Sequence, residues 1–226
     1  MVLALVIWVL YLALEPYVRR RWPHALISWT RVLGGTFGDP RVGGDLLIGL
    51  AAGAAMAAVF AMLFRLPGLI GQPAPQPSWE GLDTLLGTRE AAAEAIFGQV
   101  NAAAFGMAVL LMLLLLRLVM PEWPAAVVVV ALISIPHALD SDLPMAVTLP
   151  INAVLLALPA VVLLRFGLLA AITCIYVVNQ LGVNFPFGPA IGGWMSGPAV
   201  VLLAVLGGLA AFGFRSATAG RRRGYE

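Results

Sequence analysis

The residues best suited to direct chemistry are His137, Asp140 and Asp142. A histidine and an aspartate three positions apart share one face of a helix, and imidazole and carboxylate groups can hold a divalent metal. The other histidine, His24, is far away in the chain, so no second ligand cluster supports a metal site. We therefore favour a solvated turn with a helix-terminal histidine, and we predict no metal and no cofactor. A membrane enzyme that uses these three residues is the less favoured alternative.

Other catalytic motifs are missing from the sequence. All thirteen basic residues are arginine, which excludes Schiff-base and P-loop lysine chemistry, and the single cysteine, Cys174, cannot form an internal disulfide. There is no HExxH motif. Ser196 precedes Gly197, but Trp194 stands where a rhomboid protease has a small residue, and His137 precedes the serine instead of following it. We predict no catalytic residue and no nucleic-acid partner.

The composition predicts an integral membrane protein. Hydrophobic residues make up 62% of the 226 residues, charged residues make up 11%, and the mean hydropathy is +0.98. A soluble domain is about 45–50% apolar and about 25% charged. The apolar runs lack the alternation of a membrane β-barrel. The predicted fold class is therefore all-α, a polytopic helical membrane bundle that forms one transmembrane domain over residues 1–226.

We expect about seven spans, because each needs about 20 mostly apolar residues. The first is short, since residues 1–14 would reach only about 21 Å. We expect it to be the end of a longer helix, and a thin or tilted half-span is the alternative. An outer loop is expected over 67–87. The expected spans are 1–14, 46–64, 98–116, 124–139, 145–164, 166–181 and 198–214.

The arginines predict the orientation of the spans. Arginine-bearing ends alternate with acidic or neutral ends along the chain, and cytoplasmic loops carry the excess of arginine. Arg117 and Arg165 close the third and fifth expected spans, and Arg215 follows the last one. The segment 19–41 and the C-terminus should therefore be cytoplasmic, in the inner membrane of a bacterium.

Residues 17–33 are predicted to form an interfacial amphipathic helix. Apolar side chains recur at helical spacing, and basic and polar side chains occupy much of the remaining circumference. This pattern is typical of a helix with tryptophans at headgroup depth and arginines on anionic lipid phosphates. An ordinary positively charged anchor without a regulatory role is the simpler alternative. The predicted membrane-surface residues are Arg19, Arg20, Arg21, Trp22, Trp29, Arg31 and Arg41.

Polar and small residues inside the spans leave two questions open. Asn101, Asn152 and the pair Asn179–Gln180 would usually form hydrogen bonds between helices. A polar path for a substrate is the alternative, and it would make the chain a small transporter or permease subunit. Gly49 and Gly53 form a GxxxG pair, which indicates close helix contact within one chain or between two copies of it.

Two stretches resemble a known family. The first comprises LALEPYVRRRWPH at 12–24, ISWTR at 27–31 and GDPRVGGDLLIG at 38–49, and the second LRFGLL at 164–169, NFP at 184–186, Trp194 and GFR at 213–215. Both resemble the C-terminal multi-pass membrane region of certain bacterial serine/threonine protein kinases. The resemblance covers both ends of the chain, whereas residues 64–163 match mainly in hydrophobicity.

The resemblance implies a kinase domain as partner, in cis or in trans, with further spans upstream. The chain itself has no glycine-rich loop, VAIK lysine, HRD or DFG motif, so no catalytic residue can be transferred. The chain would be a fragment, a stand-alone relative or the product of a start codon placed too late. We expect a non-catalytic membrane domain that anchors or regulates a kinase.

Overall fold

The structure, a computed structural model, describes residues 9, 12, 15–18, 20, 22–69, 86–139, 145–183 and 196–222. Its main elements in these ranges are all helical, and no strand occurs among them, which confirms the predicted all-α bundle. The elements are α1 (Pro23–Leu33), α2 (Pro40–Leu69), α3 (Thr88–Leu116), α4 (Glu122–Leu139), α5 (Met145–Phe166), α6 (Leu168–Val178), a π-helical turn (Asn179–Val183) and α7 (Ser196–Arg222).

Among the described residues, five helical segments are long and apolar enough to cross a membrane: Pro40–Met62, Thr88–Leu116, Glu122–Leu139, Thr148–Phe166 and Gly197–Ala219. Each covers most of one expected span. α2, α3 and α7 extend beyond the expected bounds, because helical hydrogen bonding continues through polar residues that a count of apolar residues leaves out. The expected outer loop therefore begins later, since residues 67–69 belong to α2. Most of the first expected span and residues 70–85 lie outside the described residues.

The short helix α6 lies at the centre of the bundle. All eleven of its residues are buried, and α1, α2, α3 and α5 pack around it. It is preceded by Gly167, whose φ of +101° is a conformation that glycine adopts at little cost. Eleven residues reach about 16 Å, roughly half the hydrocarbon thickness. The expected span 166–181 is thus a shorter α-helix continued by a π-helical turn.

Glycines on one face of α2 allow this close packing. A Cβ atom at Gly49 would lie 2.6 Å from Thr173 Cβ, and one at Gly53 would lie 2.6 Å from Val177 Cβ. Both partners belong to α6. The GxxxG pair is therefore used for packing inside one chain. Nearer the start of the same helix, a Cβ atom at Gly43 would lie 2.5 Å from Gly213 O of α7.

Candidate membrane-surface site at the arginine-rich end

One end of the bundle collects eight of the ten arginines in the described ranges. Contacts such as Gly43 with Gly213 and Arg117 with Glu122 bring the first residues of α2, α4 and α6 level with the last residues of α3, α5 and α7. The other two described arginines, Arg65 and Arg89, lie towards the opposite end. We call the first surface the arginine-rich end, and its arginines are Arg20, Arg31, Arg41, Arg117, Arg165, Arg215, Arg221 and Arg222.

Helix α1 covers part of this end. It begins at Pro23, which fits the first helical position, and the residue before it, Trp22, has the non-helical φ of −148°. The predicted helix over 17–33 is therefore interrupted at Trp22, although residues 15–18 and 20 are also helical. Ala25 and Leu26 are buried, and Ala25 O would lie 2.8 Å from a Cβ at Gly167. The buried face of α1 thus packs on the α5–α6 junction.

The two predicted anchor tryptophans have different surroundings. Trp22 is only 2% exposed, and the Arg117 guanidinium lies 4.5 Å from the centroid of its ring. Protein therefore surrounds this ring, and its predicted place at headgroup depth stays a prediction. Trp29 is partly buried against Val42 and Leu46. Its Nε1 is buried and has no hydrogen-bond acceptor within the described part of the chain.

The turn between α1 and α2 is ordered by side-chain hydrogen bonds. Thr36 Oγ1 donates to Arg31 O at 2.8 Å, and Gly35 adopts a φ of +76° just after α1. Asp39 Oδ1 accepts from Arg41 N at 2.9 Å, so this carboxylate caps the first turn of α2. Burial alone would raise the pKa of Asp39, but the Arg41 backbone hydrogen bond and the Arg31 guanidinium at 2.5 Å hold it below its usual value.

A second pair of basic side chains lies where α3, α4 and α5 meet. Arg117 forms an ion pair with Glu122 at 3.1 Å while it covers the Trp22 ring. The Arg165 guanidinium lies 5.8 Å from the centroid of the Trp123 ring. Sequence reasoning treated Arg117 and Arg165 only as markers of topology, because their aromatic partners belong to other helices. Each cation–π contact of this kind contributes about 0.5–1 kcal/mol when exposed.

A buried polar pair joins α1 to α2. Ser28 Oγ donates a hydrogen bond to Asp45 Oδ2, and both residues are buried. A buried carboxylate without such a partner would be costly. This bond therefore favours one position of α1 on the bundle. Asp45 directly precedes the expected span 46–64, and the sequence did not indicate Ser28 as its partner.

The expected polar residues of the spans do not form one group. Asn101 is exposed, and Asn152 and Asn179 are partly buried. Gln180 is buried and donates to Glu94 O at 3.4 Å, and Tyr176 donates to Ala95 O at 3.1 Å. Both bonds link the α6 region to α3, which is the helix-packing role expected of a buried amide. The transport alternative stays a prediction that these contacts do not test.

The metal-site hypothesis also stays untested. His137 is exposed, and its Nδ1 lies 2.9 Å from Ile133 O. Asp140, Asp142 and Trp194 lie outside the described residues. In the ranges that are described, no three His, Cys, Asp or Glu side chains form a group that could hold a metal ion.

The fold and this surface define a class: a bundle of apolar helices with one strongly basic end. Comparisons of the chain with protein-family models, with curated proteins and with solved structures found no match.

Proposed function

We propose that the chain is a multi-pass membrane domain whose arginine-rich end faces the cytoplasm of a bacterium. Eight described arginines lie at this end and two lie towards the other. Short cytoplasmic loops carry the excess of arginine in inner-membrane proteins. The α1–α2 turn and the C-terminus are then cytoplasmic, next to anionic phospholipid headgroups.

We further propose that this domain anchors or regulates a serine/threonine protein kinase and is not itself catalytic. The observation that carries the proposal is a contact between the two stretches that resemble the kinase-associated membrane region. Gly213 of the second stretch lies against Gly43 of the first, and Gly167 of the second lies against Ala25, which falls between two matching segments of the first. Stretches far apart in sequence thus form one surface at the arginine-rich end. Such a surface is suited to receive or orient a kinase domain beside the membrane.

Cysteine labelling tests the orientation. In a Cys174→Ala background, Thr36→Cys places a thiol in the exposed α1–α2 turn, and Thr88→Cys places a matched thiol at the first residue of α3. A membrane-impermeant maleimide should label Thr36→Cys only in inverted vesicles and Thr88→Cys only in intact spheroplasts. The opposite pattern would place the arginine-rich end outside and would contradict the proposal.

The link to a kinase needs a separate test. We would read the coding DNA upstream of Met1 in the same frame and look for HRD and DFG motifs. If they are present, the test is kinase autophosphorylation in membranes that carry Arg31→Gln or Arg41→Gln, at the two helix ends beside the α1–α2 turn, with Arg89→Gln as the control. If a stop codon precedes Met1, the test is co-purification of a kinase with the tagged chain. An unchanged autophosphorylation rate, or no co-purified kinase, would contradict the regulatory role.

A further inference from the structure

An open groove runs between α2 and α5. Its volume is about 370 Å³, and it opens to the side of the bundle. Met56 and Val59 line it on α2, and Val154, Leu158 and Val161 line it on α5. The cluster of Met56, Leu155 and Val178 adjoins it from within the bundle. The lining is apolar throughout, so an occupant must present apolar groups to it.

The groove leads towards a positive charge. Val154, Leu158, Val161 and Arg165 follow one another at spacings of four, three and four residues, so they lie on one face of α5. Arg165 is exposed and is one turn, about 6 Å, beyond Val161 along the helix axis. Trp123 lies beside its guanidinium. The ion pairs found in the described ranges join Arg31 to Asp39 and Arg117 to Glu122, and neither includes Arg165.

We propose that the groove and Arg165 together bind one anionic phospholipid, with an acyl chain between α2 and α5 and the phosphate on Arg165. An apolar channel that leads to an exposed cation matches an amphiphile with an anionic head. A helix of a second copy that filled the groove through apolar contacts would need no anion at Arg165, so it would leave that exposed cation unexplained. The proposed source of the lipid, the cytoplasmic leaflet, rests on the proposed orientation of the arginine-rich end.

Competitive photo-crosslinking tests this site in the full chain. The chain is placed in phosphatidylcholine nanodiscs that contain a phosphatidylglycerol carrying a diazirine in its acyl chain. Crosslinked peptides are located by mass spectrometry, and unlabelled phosphatidylglycerol or phosphatidylcholine is added as competitor. We expect crosslinks concentrated in α2 and α5, with phosphatidylglycerol the stronger competitor. Crosslinks spread evenly over all exposed apolar residues would overturn the proposal.

Two variants and their controls separate the headgroup from the chain. Arg165→Gln should weaken phosphatidylglycerol competition about fivefold, since one arginine near a lipid surface contributes about 1 kcal/mol. Arg215→Gln, an exposed arginine at the same end, should leave it unchanged. Ala157→Phe should fill the groove and remove the concentrated crosslinks, whereas Ala204→Phe on the exposed face of α7 should not. If Ala157→Phe does not fold, Val161→Trp at a more exposed position replaces it. Equal effects of Arg165→Gln and Arg215→Gln would contradict the site.

The outcome can be separated from that of the proposed function. Both leaflets of a nanodisc have the same composition, so binding is measured whichever way the chain faces. An inverted labelling pattern with an intact Arg165 effect would reject the orientation and keep the lipid site. The expected labelling pattern without an Arg165 effect would keep the orientation and reject the lipid site.

Discussion

Replacement of Gly53 by alanine should loosen the contact between α2 and α6. A Cβ atom at this position would lie 2.6 Å from Val177 Cβ and 2.8 Å from Cys174 O. Real Cβ atoms do not approach other atoms so closely, and one of these two is backbone, which cannot rotate away. The helices would therefore have to separate. Gly49→Ala should act in the same way, because its Cβ would lie 2.5 Å from Ala170 O.

The magnitude follows from two opposing effects. Overpacking of this kind costs about 1–3 kcal/mol. Alanine in place of glycine within a helix raises the free energy of unfolding by up to about 1 kcal/mol, through its higher helix propensity. We expect a net loss of about 1–2 kcal/mol for each variant. The double variant should lose less than twice that amount, because one separation of α2 from α6 relieves both contacts.

Gly44→Ala is the matched control. It lies on the same helix, but a Cβ there would have no atom within 4 Å, so only the gain in helix propensity applies. Cys174, the single cysteine, is buried in α6 and should react with a thiol-specific fluorophore only when the packing opens. The labelling midpoint in a thermal ramp should fall by about 2–8 °C for Gly53→Ala. It should stay constant or rise for Gly44→Ala. Equal midpoints, or an altered oligomeric mass with an unaltered midpoint, would refute the internal packing role.

The remaining predictions concern α1, the turn and α6, and the same thermal assay measures them. Trp22→Ala should lower the free energy of unfolding by about 3–5 kcal/mol, because it empties a buried site, and Trp22→Phe should lower it clearly less. Trp123 is half-exposed, so Trp123→Ala should have little effect. Equal losses for Trp22→Ala and Trp123→Ala would contradict the burial of Trp22. Asp39→Ala should cost about 1 kcal/mol through the lost cap, and Asp39→Asn less, since asparagine also caps. Because the pKa of Asp39 is lowered in the folded chain, its contribution is complete above the ordinary carboxyl pKa and is lost as the pH falls through the lowered one. Asp39→Asn should lack this dependence, and a parallel pH profile of the two proteins would contradict the assignment. Tyr176→Phe should cost about 0.5–1.5 kcal/mol through the lost bond to Ala95 O, whereas the exposed Tyr17→Phe should be neutral.

Local patterns in the sequence predicted much of the fold. Long apolar runs predicted the positions of α2 to α5 and α7, because a helix is the structure that satisfies its own backbone in an apolar setting. Their ends were less well predicted, although a signal was available at the start of α2. Asp39 followed by Pro40 is a capping residue before a residue suited to the first turn. A count of apolar residues passes over this signal.

The contacts of the candidate site could not be predicted in the same way. The sequence predicted the same membrane-surface role for Trp22 and Arg31, because both belong to the amphipathic segment 17–33. The structure buries Trp22 beneath Arg117 and leaves Arg31 only partly buried, in the last turn of α1. This difference depends on the position of α3, which no pattern within residues 17–33 records. The same holds for Ser28, whose partner Asp45 belongs to the next helix.

The clearest difference between sequence and structure lies in α6. Hydropathy cannot distinguish a helix that faces lipid from one enclosed by other helices, because both surroundings are apolar. The neighbouring helices can enclose α6 because glycines lie on them where they contact it. Gly49 and Gly53 of α2 face Thr173 and Val177, and two glycines of α3 also lie against this region: Gly98 against Gln180 and Gly106 against Ile172. Because glycine has no side chain, each of these positions lets its helix approach the α6 region closely. Four small residues in two separate spans acquire this meaning only when the helix between them is known, so the sequence predicted a span over 166–181 without indicating that other helices enclose it.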